Sequence, residues 1–139
     1  TLDFSTQLVN LAGLYQERLT TLVAHWLRIG YCQGNINSDN CAAGGFTLDY
    51  GPFGFCEVFD PKYQPWIGGG ERFSFFNQPV AAEANFQMFW KAIRLLVTDD
   101  VVALEQLDKI FLDFCDSFLI SASFLISRIF NDEFLRQSL

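Results

Sequence analysis

A chain in which Leu8, Leu11, Tyr15, Leu19, Leu22, Trp26 and Ile29 recur at spacings of three and four has little freedom over its first 30 residues. On a helix of about 3.6 residues per turn that spacing stacks one apolar stripe, so an amphipathic helix is predicted over 6–29. Ser5 is placed to cap its start, and Gly30 can take the left-handed conformation that ends it. His25 lies beside the stripe and reads as a packing residue with a satisfied nitrogen rather than a catalyst. A second helix is predicted from Pro79, where a missing N–H costs nothing, after Asn77 or Gln78. Its stripe is Ala81, Ala84, Met88, Phe89, Ala92, Leu95 and Leu96. Thr98-Asp99-Asp100 breaks and re-caps the chain, and a third helix follows from about Val101 with Leu104, Leu107, Phe111, Phe114 and Phe118 on one side.

Between the first two helices the periodicity vanishes. Residues 31–45 read as a loop, GGFTLDY as a short strand, and GPFGF as a turn. DPKYQPWIGGGERF, with Pro61, Pro65 and Gly68 to Gly70, reads as an irregular excursion. The triple glycine follows no obvious strand and precedes no Lys-Ser/Thr pair, so it is expected to be a flexible turn and not a phosphate cradle. The expected fold class is mainly α with a small β element, without internal repeats, in 139 residues that suffice for one core. The chain divides into 1–100, which holds the polar loop, and 101–139, an apolar helical segment.

Half of the residues are hydrophobic and sixteen are Phe, a composition incompatible with disorder. The net charge is −7 and the nine Lys and Arg are scattered singly, which argues against nucleic acid, since phosphate backbones are held by clustered basic groups. Cys32, Cys41, Cys56 and Cys115 form no C-x-x-C pair, and with one His a zinc site would need unusual ligands. Free thiols are the favoured state over a Cys32–Cys41 disulfide across the loop. The apolar run 110–130 is broken by Asp113, Asp116 and Arg128, and its uncharged centre, 117–127, falls short of the roughly 20 residues a bilayer needs. A buried or partner-facing helix is expected there, and membrane contact is disfavoured. Left bare on a monomer such a surface would be a liability, so partner chains are candidates to cover it. The chain begins at Thr1, which points to processing or to a longer parent, and no signal or transit segment is visible.

The chemistry concentrates in GNINSDNCAAGGFTLDYGPFGF. Mg²⁺ takes hard oxygen ligands and usually only one or two from the protein. Asn40 and Asp49, on opposite limbs of a loop–strand turn, supply such a pair, and Asp39 beside the first is placed to accept a proton from a hydroxyl nucleophile. Protein kinases use the same parts: a loop Asp as base, a loop Asn on metal, and an Asp-aromatic-Gly on metal after a short strand. Asp49-Tyr50-Gly51 would be the last of these, with Gly51 giving the backbone freedom for the carboxylate to turn inward. The competing reading is plain turn chemistry, in which Asn35, Asn37, Ser38, Asp39 and Asn40 are turn formers and DYGP is a β-turn. Kinase spacing is not matched, because there the base and the Asn stand five apart and here they are adjacent.

GYCQGNINSDNCAAGGFTLDYGPFGF closely resembles the catalytic segment of the selenoprotein O family, the pseudokinase-like protein adenylyltransferases (AMPylases). In that family G-x-x-N-[TS]-D-N is followed by a strand and D-Y-G-P-[FY]-G-F. Phe59-Asp60-Pro61, Arg72-Phe73, Gln78-Pro79 and Asn85 fall in the family's order, and the resemblance spans roughly Leu14 to Leu96. It implies part of a protein-kinase-like C-lobe over 1–100, ATP bound in a flipped orientation, and transfer of AMP from Mg²⁺-ATP to Ser, Thr or Tyr hydroxyls of protein substrates. By position Asp39 would be the general base, and Asn40 and Asp49 would bind Mg²⁺. A mitochondrial or other organellar location is implied by resemblance alone.

The chain departs from the family where relatives carry a His and an apolar residue and this sequence has Gln33 and Asn35. Gln33 can still hydrogen-bond to orient the loop. The family's N-lobe, with its phosphate-positioning Lys, Glu and Arg, has no counterpart in these residues. Beyond about Leu112 the likeness fades, and the end, FLRQSL, lacks a selenocysteine-type terminus. Two readings follow: part of a working adenylyltransferase, or an inactive remnant serving as a structural subunit of a larger assembly, with membrane association as an option.

Overall fold

Helix α1 (Phe4–Arg28) starts two residues earlier than its apolar stripe suggests, because the cap is Asp3 and not Ser5. The Asp3 carboxylate accepts from the Thr6 backbone N–H at 2.9 Å and from the Thr6 hydroxyl at 2.8 Å, satisfying donors that a helix start leaves open. The other end turns at Gly30, whose φ of 73° is the left-handed value expected of it. The structure, a computed structural model, describes residues 2–114, 116 and 117.

The buried side of α1 is Ala12, Tyr15, Leu19, Val23, Trp26 and Leu27. Leu11 and Ile29, assigned to the stripe from their spacing, are exposed. His25 is exposed too. Together with Arg28 it lies in the last turn of the helix, where positive charge suits the dipole.

After α1 the chain forms β1 (Tyr31–Cys32), which pairs antiparallel with β2 (Gly54–Phe55) through Tyr31 opposite Phe55 and Cys32 opposite Gly54. The strand therefore falls within GPFGF, expected as a turn. GGFTLDY, expected as the strand, contributes a single bridge between Thr47 and Cys41. The reason is steric and aromatic. Tyr31 packs against Trp26, Phe53 and Phe55 at centroid distances of 5.5, 5.7 and 5.3 Å. Gly54 lets the Tyr63 hydroxyl approach to where a Cβ would stand, 2.0 Å away. The triple glycine lies within Ile67–Phe73, two short 3₁₀ turns separated by a kink at Gly70, whose φ is 57°.

Helix α2 (Gln78–Arg94) carries Pro79 in its first turn and starts at Gln78. A third helix, α3, is described over 101–114. The Asp100 side chain caps it by accepting from the Ala103 N–H at 3.0 Å, as the Thr98-Asp99-Asp100 break suggests. Ala103 and Leu107 join Ala12 of α1 with Ile93 and Val97 in one apolar cluster. Phe114 stacks on Phe86 at 4.5 Å, and Phe111 on Trp90 at 4.7 Å. Asp108 accepts from Trp90 Nε1 at 3.2 Å and pairs with Arg94, pinning α3 to α2. Phe118 and the rest of the apolar run to 130 lie outside the described residues. Within them, no helix is long and apolar enough to cross a membrane.

The face that α2 buries is not the one its apolar residues mark. Gln78, Ala81, Ala82, Asn85, Phe86 and Ile93 are buried, whereas Met88, Leu95 and Leu96 are exposed. Two carboxamides sit in the interior. They do so because they hold the loop that follows β1.

Candidate functional site

Gln78 and Asn85 are seven residues apart, two turns along one face of α2. The Gln78 carboxamide accepts from the Gln33 N–H at 2.9 Å and donates to the Tyr31 and Phe75 carbonyls at 3.0 and 3.1 Å. Asn85 donates to the Ile36 carbonyl at 2.8 Å and accepts from the Ser38 hydroxyl at 3.0 Å. Backbone groups of a loop that passes through the interior need partners, and α2 supplies them from two side chains. The loop 33–38 is thereby fixed against a helix.

Inside the loop the Asn residues close a second set of bonds. Asn37 Nδ2 donates to Asn35 Oδ1 at 2.7 Å, and Asn40 Nδ2 donates to the Asn35 carbonyl at 2.9 Å. A carbonyl can face only the amide's NH₂, so the Asn40 orientation is determined and its Oδ1 is the atom left to ligate. Asp39 and Asn40 lie in a 3₁₀ turn, Ser38–Asn40, with Asp39 exposed.

The second limb crosses close by. Gly34 has φ 79°, and a Cβ there would stand 2.2 Å from the Pro52 carbonyl oxygen and 2.9 Å from Pro65 Cγ. Only glycine allows the two limbs to abut in this way. Gln33 Nε2 donates to the Asp49 carbonyl at 3.2 Å. The Asp49 side chain is exposed. Gly51 lies outside the left-handed region. Its contribution is room, since a Cβ would come within 3.3 Å of Asp49 Oδ2.

The donor set suits Mg²⁺: one carboxylate from Asp49 and one amide oxygen from Asn40, with the remaining positions for water and phosphate. Among the described residues no group of three or more His, Cys, Asp or Glu gathers into a metal cage. The Tyr31 hydroxyl is buried without a hydrogen-bond partner among them. Burial, with Tyr50, Cys32 and Asp49 nearby, pushes its pKa up to about 12, so it stays protonated. A cavity of about 260 Å³ opens on the other side of Ser38, bounded by Tyr15, Cys41, Met88 and Phe89. It is smaller than the ~300–1,000 Å³ of common ligand sites and mostly apolar, so a nucleotide is not assigned to it.

Among the described residues the thiols of Cys32, Cys41 and Cys56 are free. Cys32 donates to the Phe73 carbonyl at 3.3 Å, Cys41 lies 3.2 Å from the Tyr15 hydroxyl, and Cys56 is unpaired with another sulfur. Burial pushes the Cys32 thiol up to about 12, making it a packing group and not a nucleophile.

A family model described as protein adenylyltransferase SelO matches residues 6–128. The chain belongs to this family. The match extends past Leu112, beyond the span that the motifs alone suggest. Relatives named protein nucleotidyltransferase YdiU agree. The one from Flavobacterium johnsoniae is 36% identical over 101 residues, covering 71% of this chain and 19% of the relative. Those from Nitrosospira multiformis and Azoarcus sp. are each 41% identical, over 64% and 55% of this chain and 16% and 15% of their own lengths. The chain thus spans less than a fifth of these SelO-family relatives.

Sequence reasoning picks out Asp39, Asn40 and Asp49, and it singles out Gln33, Gln78 and Asn85 without giving the last two a role. The signal for that role is present: two carboxamides seven residues apart, a spacing that a helix places on one face.

Proposed function

We propose that this chain carries the base and metal-holding residues of a protein adenylyltransferase, which moves AMP from Mg²⁺-ATP to Ser, Thr or Tyr hydroxyls of other proteins. The observation that carries the reading is the abutment of two limbs, one bearing Asp39 and Asn40 and the other Asp49, within a segment matched to the SelO family. The accompanying fold reading is part of a protein-kinase-like C-lobe.

In this reading the substrate hydroxyl gives its proton to the exposed Asp39 carboxylate while its oxygen bonds to the α-phosphorus. The bond from that phosphorus to the bridging oxygen breaks, and pyrophosphate leaves. Asn40 Oδ1 and the Asp49 carboxylate would hold Mg²⁺, which supplies neutralising charge at the phosphate oxygens. The buried amides of Gln78 and Asn85 keep the loop from relaxing as charge builds, so reorganisation is small.

The test uses the native protein with ATP labelled at the α- or the γ-phosphorus. Label should reach protein hydroxyls from the α-position only. Asp49→Ala should lose Mg²⁺-ATP binding and transfer together, while Asp39→Ala should keep nucleotide and lose turnover by about 10²–10⁴-fold, the usual worth of a general base. Transfer from the γ-position, or full turnover in Asp39→Ala, would overturn the assignment.

A further inference from the structure

We infer that Gln33 is a positioning residue that ties the candidate base loop to the limb bearing Asp49 through a single carboxamide. The inference rests on the adenylyltransferase reading and deepens it. Gln33 is 1% exposed and uses both ends of its side chain. Oε1 accepts from the Asn35 N–H at 2.7 Å, and Asn35 in turn receives Asn40 Nδ2 on its carbonyl. Nε2 donates to the Asp49 carbonyl at 3.2 Å. The residue's own N–H is held by Gln78. A chain of bonds therefore runs from α2 through Gln33 to both proposed metal-binding residues.

The arrangement has a chemical logic. A carboxamide is donor and acceptor at fixed separation in one plane, so it sets the distance between the Asn35 amide and the Asp49 backbone and not merely their presence. Neither limb is a regular element at this point: the loop has one 3₁₀ turn, and residues 48–50 lie between the bridge at Thr47 and β2. Their relative placement has to come from cross-links. Gly34 permits the close approach, and Gln33 fixes it. Groups behind metal ligands change metal affinity or activity by about 10–100-fold when removed.

Three variants separate the two bonds. Gln33→Glu keeps an acceptor for the Asn35 N–H and removes the donor to Asp49. Gln33→Met removes both with little change in volume. Gln33→His offers one ring nitrogen as acceptor and one as donor. Hydrogen exchange of the native protein, read by mass spectrometry, should show faster exchange in 47–53 alone for Gln33→Glu, in both 33–40 and 47–53 for Gln33→Met, and near-native exchange for Gln33→His. The Mg²⁺ concentration giving half-maximal nucleotide binding should rise about tenfold or more in the first two and recover in the third.

Uniform loosening of the whole chain in Gln33→Glu and Gln33→Met would reduce Gln33 to a packing residue and overturn the inference. So would unchanged exchange in 47–53 for Gln33→Glu. If the unsubstituted protein transfers no AMP, the functional reading fails, yet the exchange pattern still decides the cross-link. If it transfers AMP and Gln33→Glu shifts neither exchange nor Mg²⁺ dependence, only the positioning role fails.

Discussion

Gly34→Ala tests whether the two limbs truly abut. The substitution adds one methyl group at a backbone φ of 79°, where that methyl would meet the Pro52 carbonyl oxygen at 2.2 Å and Pro65 Cγ at 2.9 Å. Two costs follow. A left-handed backbone costs a non-glycine residue about 1–2 kcal/mol. The clash is separate: ordinary contact begins at 3.4 Å, so the limbs must part by more than an ångström, and forcing extra carbon into a packed site costs about 1–3 kcal/mol. The sum, about 2–5 kcal/mol, is a large share of a typical domain's ~5–15 kcal/mol. Gly30 provides the control, with a similar φ of 73° but its nearest would-be contact at 3.6 Å from the Cys56 carbonyl oxygen. Gly30→Ala should carry the conformational cost alone, about 1–2 kcal/mol. Urea unfolding followed by circular dichroism gives both values. Equal costs, within the ~0.5 kcal/mol of such comparisons, would mean that Pro52 does not lie over Gly34 and that the site geometry is wrong.

Two further outcomes are expected. Hydrogen bonding from the Ala103 N–H holds the Asp100 carboxyl below its ordinary 3.8. A depressed carboxyl stabilises the fold above its unfolded pKa and loses that effect as pH falls through the folded one. Asp100→Ala should therefore be less stable than the native chain at pH 7, and the gap should narrow below about pH 4, as thermal melts across pH would show; a gap that widens on acidification would refute the cap. Cys32, with its thiol pushed up to about 12 and its sulfur on the Phe73 carbonyl, should resist iodoacetamide at about pH 8 in the folded protein and react in urea, as peptide mass spectrometry would show. Rapid modification in the folded state would refute its burial.

The helices were legible in the sequence because an apolar stripe at spacings of three and four is a direct image of a buried face. What it blurred was the azimuth. In α1 the true face is displaced toward Ala12, Val23 and Leu27, since large residues such as Leu11 and Ile29 can remain exposed without much penalty while small ones permit close packing. The β element misled for a different reason. GGFTLDY alternates like a strand, yet pairing goes where a partner edge exists, and Tyr31–Cys32 meets Gly54–Phe55, not 44–50. Strand pairing is a tertiary decision that a local window does not contain.

The site was legible in its chemistry and not in its support. Asp39, Asn40 and Asp49 stand out because carboxylates and amides clustered in an apolar chain invite a chemical reading. An orienting hydrogen bond was readable for Gln33, but the supporting role of Gln78 and Asn85 did not stand out, since a rule that ranks polar residues as outward-facing places all three on the surface. The structure buries them at 1%, 0% and 6% exposure, which inverts that rule for a physical reason. A loop that must be rigid and irregular at once cannot satisfy its own backbone as a helix or sheet does, so donors and acceptors have to be imported from side chains. Carboxamides are suited to supplying them, because each offers a donor and an acceptor and carries no charge to desolvate. Buried Gln and Asn on the inner face of an apolar helix therefore point to an irregular segment packed against it, and here the segment they hold is the one that bears Asp39 and Asn40.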